Sequence, residues 1–191
     1  MSRLIGVSNL PSPPVITIAS RCASLGGTGP RWGSAVPSSG LSPWSDAADC
    51  LLAFPFVIES QTTFYKGFWV MGSAGGTVNR EVGIWDDAYN KIITTGAVAG
   101  ANTNSVPQSA AFTATVTLPP GLYYAGMAYN ATTTNTHFRF AASVIAVWQA
   151  MGCWRQAAIT LGSLAATATP GDMSNVAFPL FGLITRSAYD V

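Results

Sequence analysis

His137 is the only histidine in the chain, so a Ser-His-Asp relay or a His-ligated metal would have to be built around it. It lies between Thr136 and Phe138 in a strand-like segment. No Gly-x-Ser-x-Gly elbow is present, and no cysteine or carboxylate stands at zinc-ligand spacing from it, so it reads as an exposed strand residue. Chemistry without histidine would fall to a pair of carboxylates, as in glycoside hydrolysis. The acids are Asp46, Asp49, Glu59, Glu81, Asp86, Asp87, Asp172 and Asp190, most of them in expected turns or at solvated strand positions. Asp86, Asp87 and Asn90 offer oxygens to calcium but lack the EF-hand spacing and its closing glutamate; hairpin-turn chemistry accounts for the trio. Cys22, Cys50 and Cys153 form no Cys-x-x-Cys pair and close no even disulfide framework, so they read as buried thiols. The glycine-rich stretches Gly26–Gly29 and Gly72–Gly76 are not followed by the Lys-Ser or Lys-Thr of a phosphate loop. The expectation is no catalytic residue, no metal site and no cofactor site.

What remains is aromatic. Trp85, Tyr89 and one of Tyr123 or Tyr124 fall where an exposed ring is expected. Rings of this kind stack on sugars or on a neighbouring subunit; they also serve simply to cover a sandwich or to pack beneath an arm.

Charge narrows the partners further. Only 9% of residues are Asp, Glu, Lys or Arg, and the formal net charge is +1, against roughly 25% charged residues in an ordinary globular domain. Such a chain has no basic face for nucleic acid. A surface of Ala, Gly, Ser and Thr tends to self-associate, which points to an exterior covered in an oligomer or larger assembly. The longest apolar run, Ala141 to Trp154, is broken by Ser143, Gln149 and Gly152, and it falls short of the ~20 residues of a membrane span. Met1 to Leu10 does not read as a secretory signal, because Leu4-Ile5-Gly6-Val7 is too short an apolar core before Pro11.

The elements that would position these residues are mostly strands. Residues 1–44 read as an extended N-terminal arm, broken by Pro11, Pro13, Pro14, Pro30, Pro37 and Pro43. Within it, Val15 to Ala19 is β-prone enough to join a sheet edge, and Trp32 and Trp44 are expected to anchor the arm. Residues 45–191 read as one β-sandwich domain. Strands are expected at 51–58, 63–71, 80–86, 91–95, 112–118 and 122–129, with closing strands near the C-terminus. In the second of these, Lys66 marks Phe64, Lys66, Phe68 and Val70 as the outward set and turns Trp69 to the core. In the third, Val82 and Ile84 face in, while Glu81, Gly83 and Trp85 face out. Asp87 to Asn90 forms a hairpin turn, with Asn90 suited to positive φ. Phe112, Ala114, Val116 and Leu118 alternate with threonines, as in a half-buried strand. The apolar residues of 141–152 fit the single helix, stopped by Gly152. The fold expected is mainly β: an antiparallel sandwich of jelly-roll type with an extended arm and one short helix.

Several phrases follow one another along the chain: Pro43-Trp44 before Leu52-Ala53-Phe54-Pro55-Phe56, then Lys66-Gly67-Phe68-Trp69-Val70 and Val82-Gly83-Ile84-Trp85-Asp86. Pro119-Pro120-Gly121-Leu122-Tyr123-Tyr124, Ala166-Thr167-Ala168-Thr169-Pro170 and Phe178-Pro179-Leu180-Phe181-Gly182-Leu183 complete the set. Over about residues 43–185 this order resembles structural modules of tailed bacteriophages, of the tail-fibre or minor structural type. The resemblance implies a non-enzymatic protein on the virion exterior, made in the host cytoplasm. It brings no catalytic residues. A homotrimer held to other virion proteins by its arm, touching a host surface glycan, is the expectation that follows. A capsid decoration protein is the alternative, and a carbohydrate-degrading depolymerase a more distant one.

Overall fold

The computed structural model describes residues 15–17, 49–70, 79–99, 107–130, 139–141, 145–173 and 177–185. Trp32, Trp44, Cys22, His137, Asp46, Asp190 and both glycine-rich stretches lie outside the described residues. In chain order the elements are β1 (Val15–Thr17), β2 (Cys50–Ile58), β3 (Thr62–Val70), β4 (Asn79–Asp86), β5 (Lys91–Thr94), β6 (Val98–Ala99) and β7 (Pro107–Leu118). They continue with β8 (Gly121–Tyr129), β9 (Arg139–Ala141), α1 (Ile145–Ala150), β10 (Trp154–Ala157), β11 (Ala177–Pro179) and β12 (Phe181–Ile184).

The pairing is antiparallel throughout, in two main sheets. The small sheet has four strands in the order β1-β12-β3-β7, and the large one has six, ordered β10-β2-β8-β4-β5 with β6 also on β4. Setting aside β6 and the insertion β9 to β11, successive strands trade sheets except at the β4–β5 hairpin, the connectivity of a jelly roll: β1, β12, β3 and β7 in one layer, β2, β8, β4 and β5 in the other. Val15–Thr17, inside the segment expected to be an arm, supplies the edge strand and pairs with Gly182–Ile184. β9 and β11 form a separate two-stranded ribbon.

Alternation builds the core between the sheets. From the large sheet come Leu52, Phe54, Phe56, Val82, Ile84, Tyr123, Ala125 and Met127; from the small sheet come Phe64, Trp69, Phe112, Leu118, Phe181 and Leu183. Rings meet across the layers, with Phe54 against Phe181 at 5.3 Å and Phe56 against Phe64 at 6.0 Å between centroids. Each such side chain contributes about 1.5–3 kcal/mol by leaving water. The Trp69 indole keeps its hydrogen bond by donating to Gln108 Oε1 at 3.1 Å. Gly67 lets the sheets close, since a Cβ there would fall 2.5 Å from the Val82 side chain.

Two expectations for these strands fail at one irregularity. Phe64 was expected outside, and it is fully buried in the same core as Trp69. Between β3 and β7 the ladder steps from Phe64↔Val116 to Lys66↔Ala111, so one residue of β3 faces four of β7. That bulge shifts the side-chain alternation, turning Phe64 inward and leaving Ala114 exposed where an inward residue was expected.

The helix is shorter than expected but ends as expected. Gly152, at φ 76°, donates to Gln149 O at 2.9 Å, and Cys153 N–H donates to Trp148 O at 3.0 Å. This is a Schellman cap, for which glycine is the natural residue. It drops Trp148 and Cys153 into the core. The same cap seats Gly152 against Pro55, a residue that would be out of place in a fully paired strand. The last pair between β10 and β2 is Trp154↔Ala53, so β2 is already an edge where proline removes its N–H. Among the described residues, no helix is long and apolar enough to cross a membrane.

Candidate functional site

The outer face of the large sheet holds the aromatics singled out from the sequence, and the structure arranges them differently from expectation. Trp85 does project to that face, but it is completely buried. Gly83 and Gly126 pair directly across β4 and β8. A Cβ on Gly83 would lie 2.9 Å from the Trp85 ring, and one on Gly126 would lie 2.6 Å from it. The indole therefore lies flat in a trough made by two facing glycines, and the glycines exist to admit it. Leu51, Ala53, Ala128 and Trp154 surround it, and Ile159, Leu164 and Ala168 close over the top as a second apolar cluster.

Those last three residues belong to a strap, residues 158–171, that has no strand pairing of its own beyond isolated bridges. Polar ties fix it instead. Glu81, expected on a solvated strand position, is buried: its carboxylate accepts from Thr94 Oγ1 at 2.6 Å and from Gly162 N–H at 2.8 Å. Lys91 donates its backbone N–H to Ala166 O at 2.7 Å and its ammonium to Leu164 O. Ala168 N–H donates to Tyr89 O, Thr167 Oγ1 to Asn90 Oδ1, and Thr169 N–H to Gln156 Oε1. A buried carboxylate with both oxygens engaged acts as a bolt between strand and strap.

The hairpin turn between β4 and β5 is equally committed. Asp86 Oδ1 accepts from the N–H groups of Ala88 and Asn90, at 2.9 and 2.8 Å, and Oδ2 accepts from Asn90 Nδ2 at 3.0 Å. The turn chemistry expected for Asp86 and Asn90 is present, but the positive φ falls on Tyr89, at 65°, instead of Asn90. Among the described residues no group of three His, Cys, Asp or Glu side chains is placed to hold a metal ion.

Tyr89 reaches from this turn onto Tyr124, with ring centroids 5.2 Å apart, and both rings stand 5.8 Å from Trp154. Trp154 in turn sits edge-on to Trp85 at 6.4 Å. Burial, together with hydrogen bonding to Tyr89 and the nearby Asp87 charge, pushes the Tyr124 phenol up to about 12. Its proton is therefore held through the neutral range. Tyr124 is only 9% exposed and Tyr89 is half-buried, so neither is the open platform expected. Tyr123 faces the opposite way, into the inter-sheet core, where its hydroxyl donates to Pro119 O at 3.1 Å and fixes the crossover from β7 to β8.

So the structure brings Trp85, Tyr89 and Tyr124 together, assigns Tyr123 to the core, and adds Trp154, which the sequence reading had left at the end of an apolar run. Glycines at same-face strand positions were the available signal, since a missing side chain in a strand marks something lying close above it. The larger exposed apolar side chains among the described residues are Val57 and Leu122, cross-strand partners on this same outer face. No family model, curated protein or solved structure matches the chain.

Proposed function

We propose that this chain is a non-enzymatic structural protein of a tailed-phage virion, of the tail-fibre type, that displays its jelly roll for contact with a host surface. The observation that carries the reading is how the polar groups are used. Glu81 bolts the strap, Asp86 ties its own turn, and Lys91 holds the strap backbone. Side chains that could have done chemistry are spent on holding loops over sheets. The phrases behind the phage resemblance build the two layers: Leu52–Phe56 in β2, Lys66–Val70 in β3, Val82–Asp86 in β4 and Phe181–Leu183 in β12. Jelly rolls recur in viral coat and sugar-binding proteins, an analogy of fold that agrees with this reading without establishing it.

The scarcity of charge supports self-association, and a homotrimer joined to other virion proteins fits it. Antibody raised against the purified chain, applied to intact virions and viewed by electron microscopy, tests the reading. Label at the tail tip or fibres is expected. Label spread over the capsid would replace the tail-fibre reading with decoration, and unlabelled particles would end the virion proposal. Light scattering at micromolar concentration checks assembly: a stable monomer would remove the trimer.

A further inference from the structure

The strap does not cover the outer face of the large sheet to its end. Beyond Ala53 and Tyr124 the same face continues to Val57 and Leu122, which are 52% and 41% exposed and pair in register. At the border stands Tyr89. A left-handed φ strains a bulky side chain where glycine would be at ease. Yet a tyrosine is placed there, held by its N–H to Asp86 O and by its carbonyl to Ala168 N–H. The turn thereby delivers a phenol to the boundary between the sealed and open halves of the face.

Around that boundary the hydrogen-bonding groups are of both kinds. The Tyr89 and Tyr124 rings stand 5.2 Å apart, and burial holds the proton on the Tyr124 hydroxyl. Asp87 is exposed beside them and presents a carboxylate acceptor. The Trp154 indole backs both tyrosines from below, at 5.8 Å from each ring, and is itself buried. The neighbouring cation, Lys91, is engaged with Leu164 O, and the exposed charge beside Tyr124 is the Asp87 carboxylate.

An apolar strip edged by hydroxyls and one carboxylate suits a ring that is apolar on its face and hydroxylated at its rim. We propose that Tyr89, Tyr124 and Asp87, with the Val57–Leu122 pair, form a binding site for a neutral sugar ring, a proposal that rests on the host-surface reading above. An acidic sugar is disfavoured by Asp87.

The test uses the full chain and a panel of neutral probes: the methyl glycosides of glucose, galactose, mannose and N-acetylglucosamine, and short oligosaccharides of each. Tryptophan fluorescence and proton NMR follow the titration, because Trp154 lies against both tyrosines. Saturable binding to at least one probe is expected. Tyr89→Ala and Asp87→Asn should each weaken it at least tenfold, while Thr117→Ala, on the exposed face of the other sheet, leaves it unchanged. Asp87→Asn alters an exposed side chain, so it keeps the test valid if Tyr89→Ala disturbs the turn. Absence of saturation with every probe, or binding that survives both substitutions, would overturn the site. Virion labelling is scored separately. A chain present on particles that binds no neutral sugar loses this site and keeps the structural reading; sugar binding by a chain absent from particles does the reverse.

Discussion

The large sheet is covered over its inner face and over much of its outer face, and the two are covered by different means. On the inner face, large side chains from two sheets interlock at alternate positions, with Phe54, Phe56, Val82, Ile84 and Met127 all at most 2% exposed. On the outer face one indole lies in a glycine trough, and a strap without regular structure closes over it. The inner face is held by shape and volume. The outer face is held by a few polar ties, with Glu81 at their centre. A loop can therefore complete an apolar layer when buried charge and backbone hydrogen bonds fix its path, and where those ties end the face opens.

The comparison can be broken most forcefully at its two largest anchors. Phe56→Ala on the inner face and Trp85→Ala on the outer face should each cost about 3–5 kcal/mol, the usual loss for a buried aromatic. Equal losses in chemical denaturation would establish the outer layer as a second core. A loss below about 1 kcal/mol for Trp85→Ala, the range of ordinary surface substitutions, would reduce the strap to a superficial cover.

A smaller effect should separate the faces. Glu81→Ala removes two hydrogen bonds to a charged acceptor, at about 1.5 kcal/mol or more each, for a total of about 3 kcal/mol. The damage should be local: amide hydrogen exchange should quicken across residues 158–168 while the amides paired between β2 and β8 keep their protection. Glu81→Gln retains an acceptor for Gly162 N–H and should recover at least half the loss. Uniform loss of protection in Glu81→Ala would mean that the strap and the inner core unfold as one unit.

The inner face was legible in the sequence because alternation is a periodic signal; Val82, Ile84 and Trp69 were placed correctly from it. Phe64 and Ala114 were not, because the bulge between β3 and β7 resets the alternation and leaves no sequence mark. The outer face was legible only in part. Alternation put Glu81, Gly83 and Trp85 on the right side of the strand, but outward was taken to mean exposed. What buries them is a stretch of small and polar residues whose ties are long-range: Gly162 to Glu81, Ala168 to Tyr89, Leu164 to Lys91. Such ties have no spacing to read. Tyr89 and Tyr124 were thus named without the neighbour, Trp154, that makes them a cluster.

The smallest effect concerns the strap backbone, and it discriminates between a strap fixed by its own geometry and one fixed only by its ties. Two of its residues adopt left-handed φ: Ala158 at 55° and Gly162 at 78°. Glycine suits this conformation, whereas alanine occupies it at a cost of about 1–2 kcal/mol. Ala158→Gly relieves that cost but gives the unfolded chain more freedom, worth about 0.4–1 kcal/mol against folding. The balance favours the variant by about 0.5–1 kcal/mol. Gly162→Ala is the mirror experiment. Its Cβ would meet only Ala97 at 3.5 Å, an ordinary contact, so strain less the stiffer unfolded chain should destabilise it by a similar amount. Opposite shifts in melting temperature are expected from the two substitutions. If both leave it unchanged, the strap absorbs backbone strain by moving, and its place over Trp85 is owed to the ties from Glu81 and Lys91 alone.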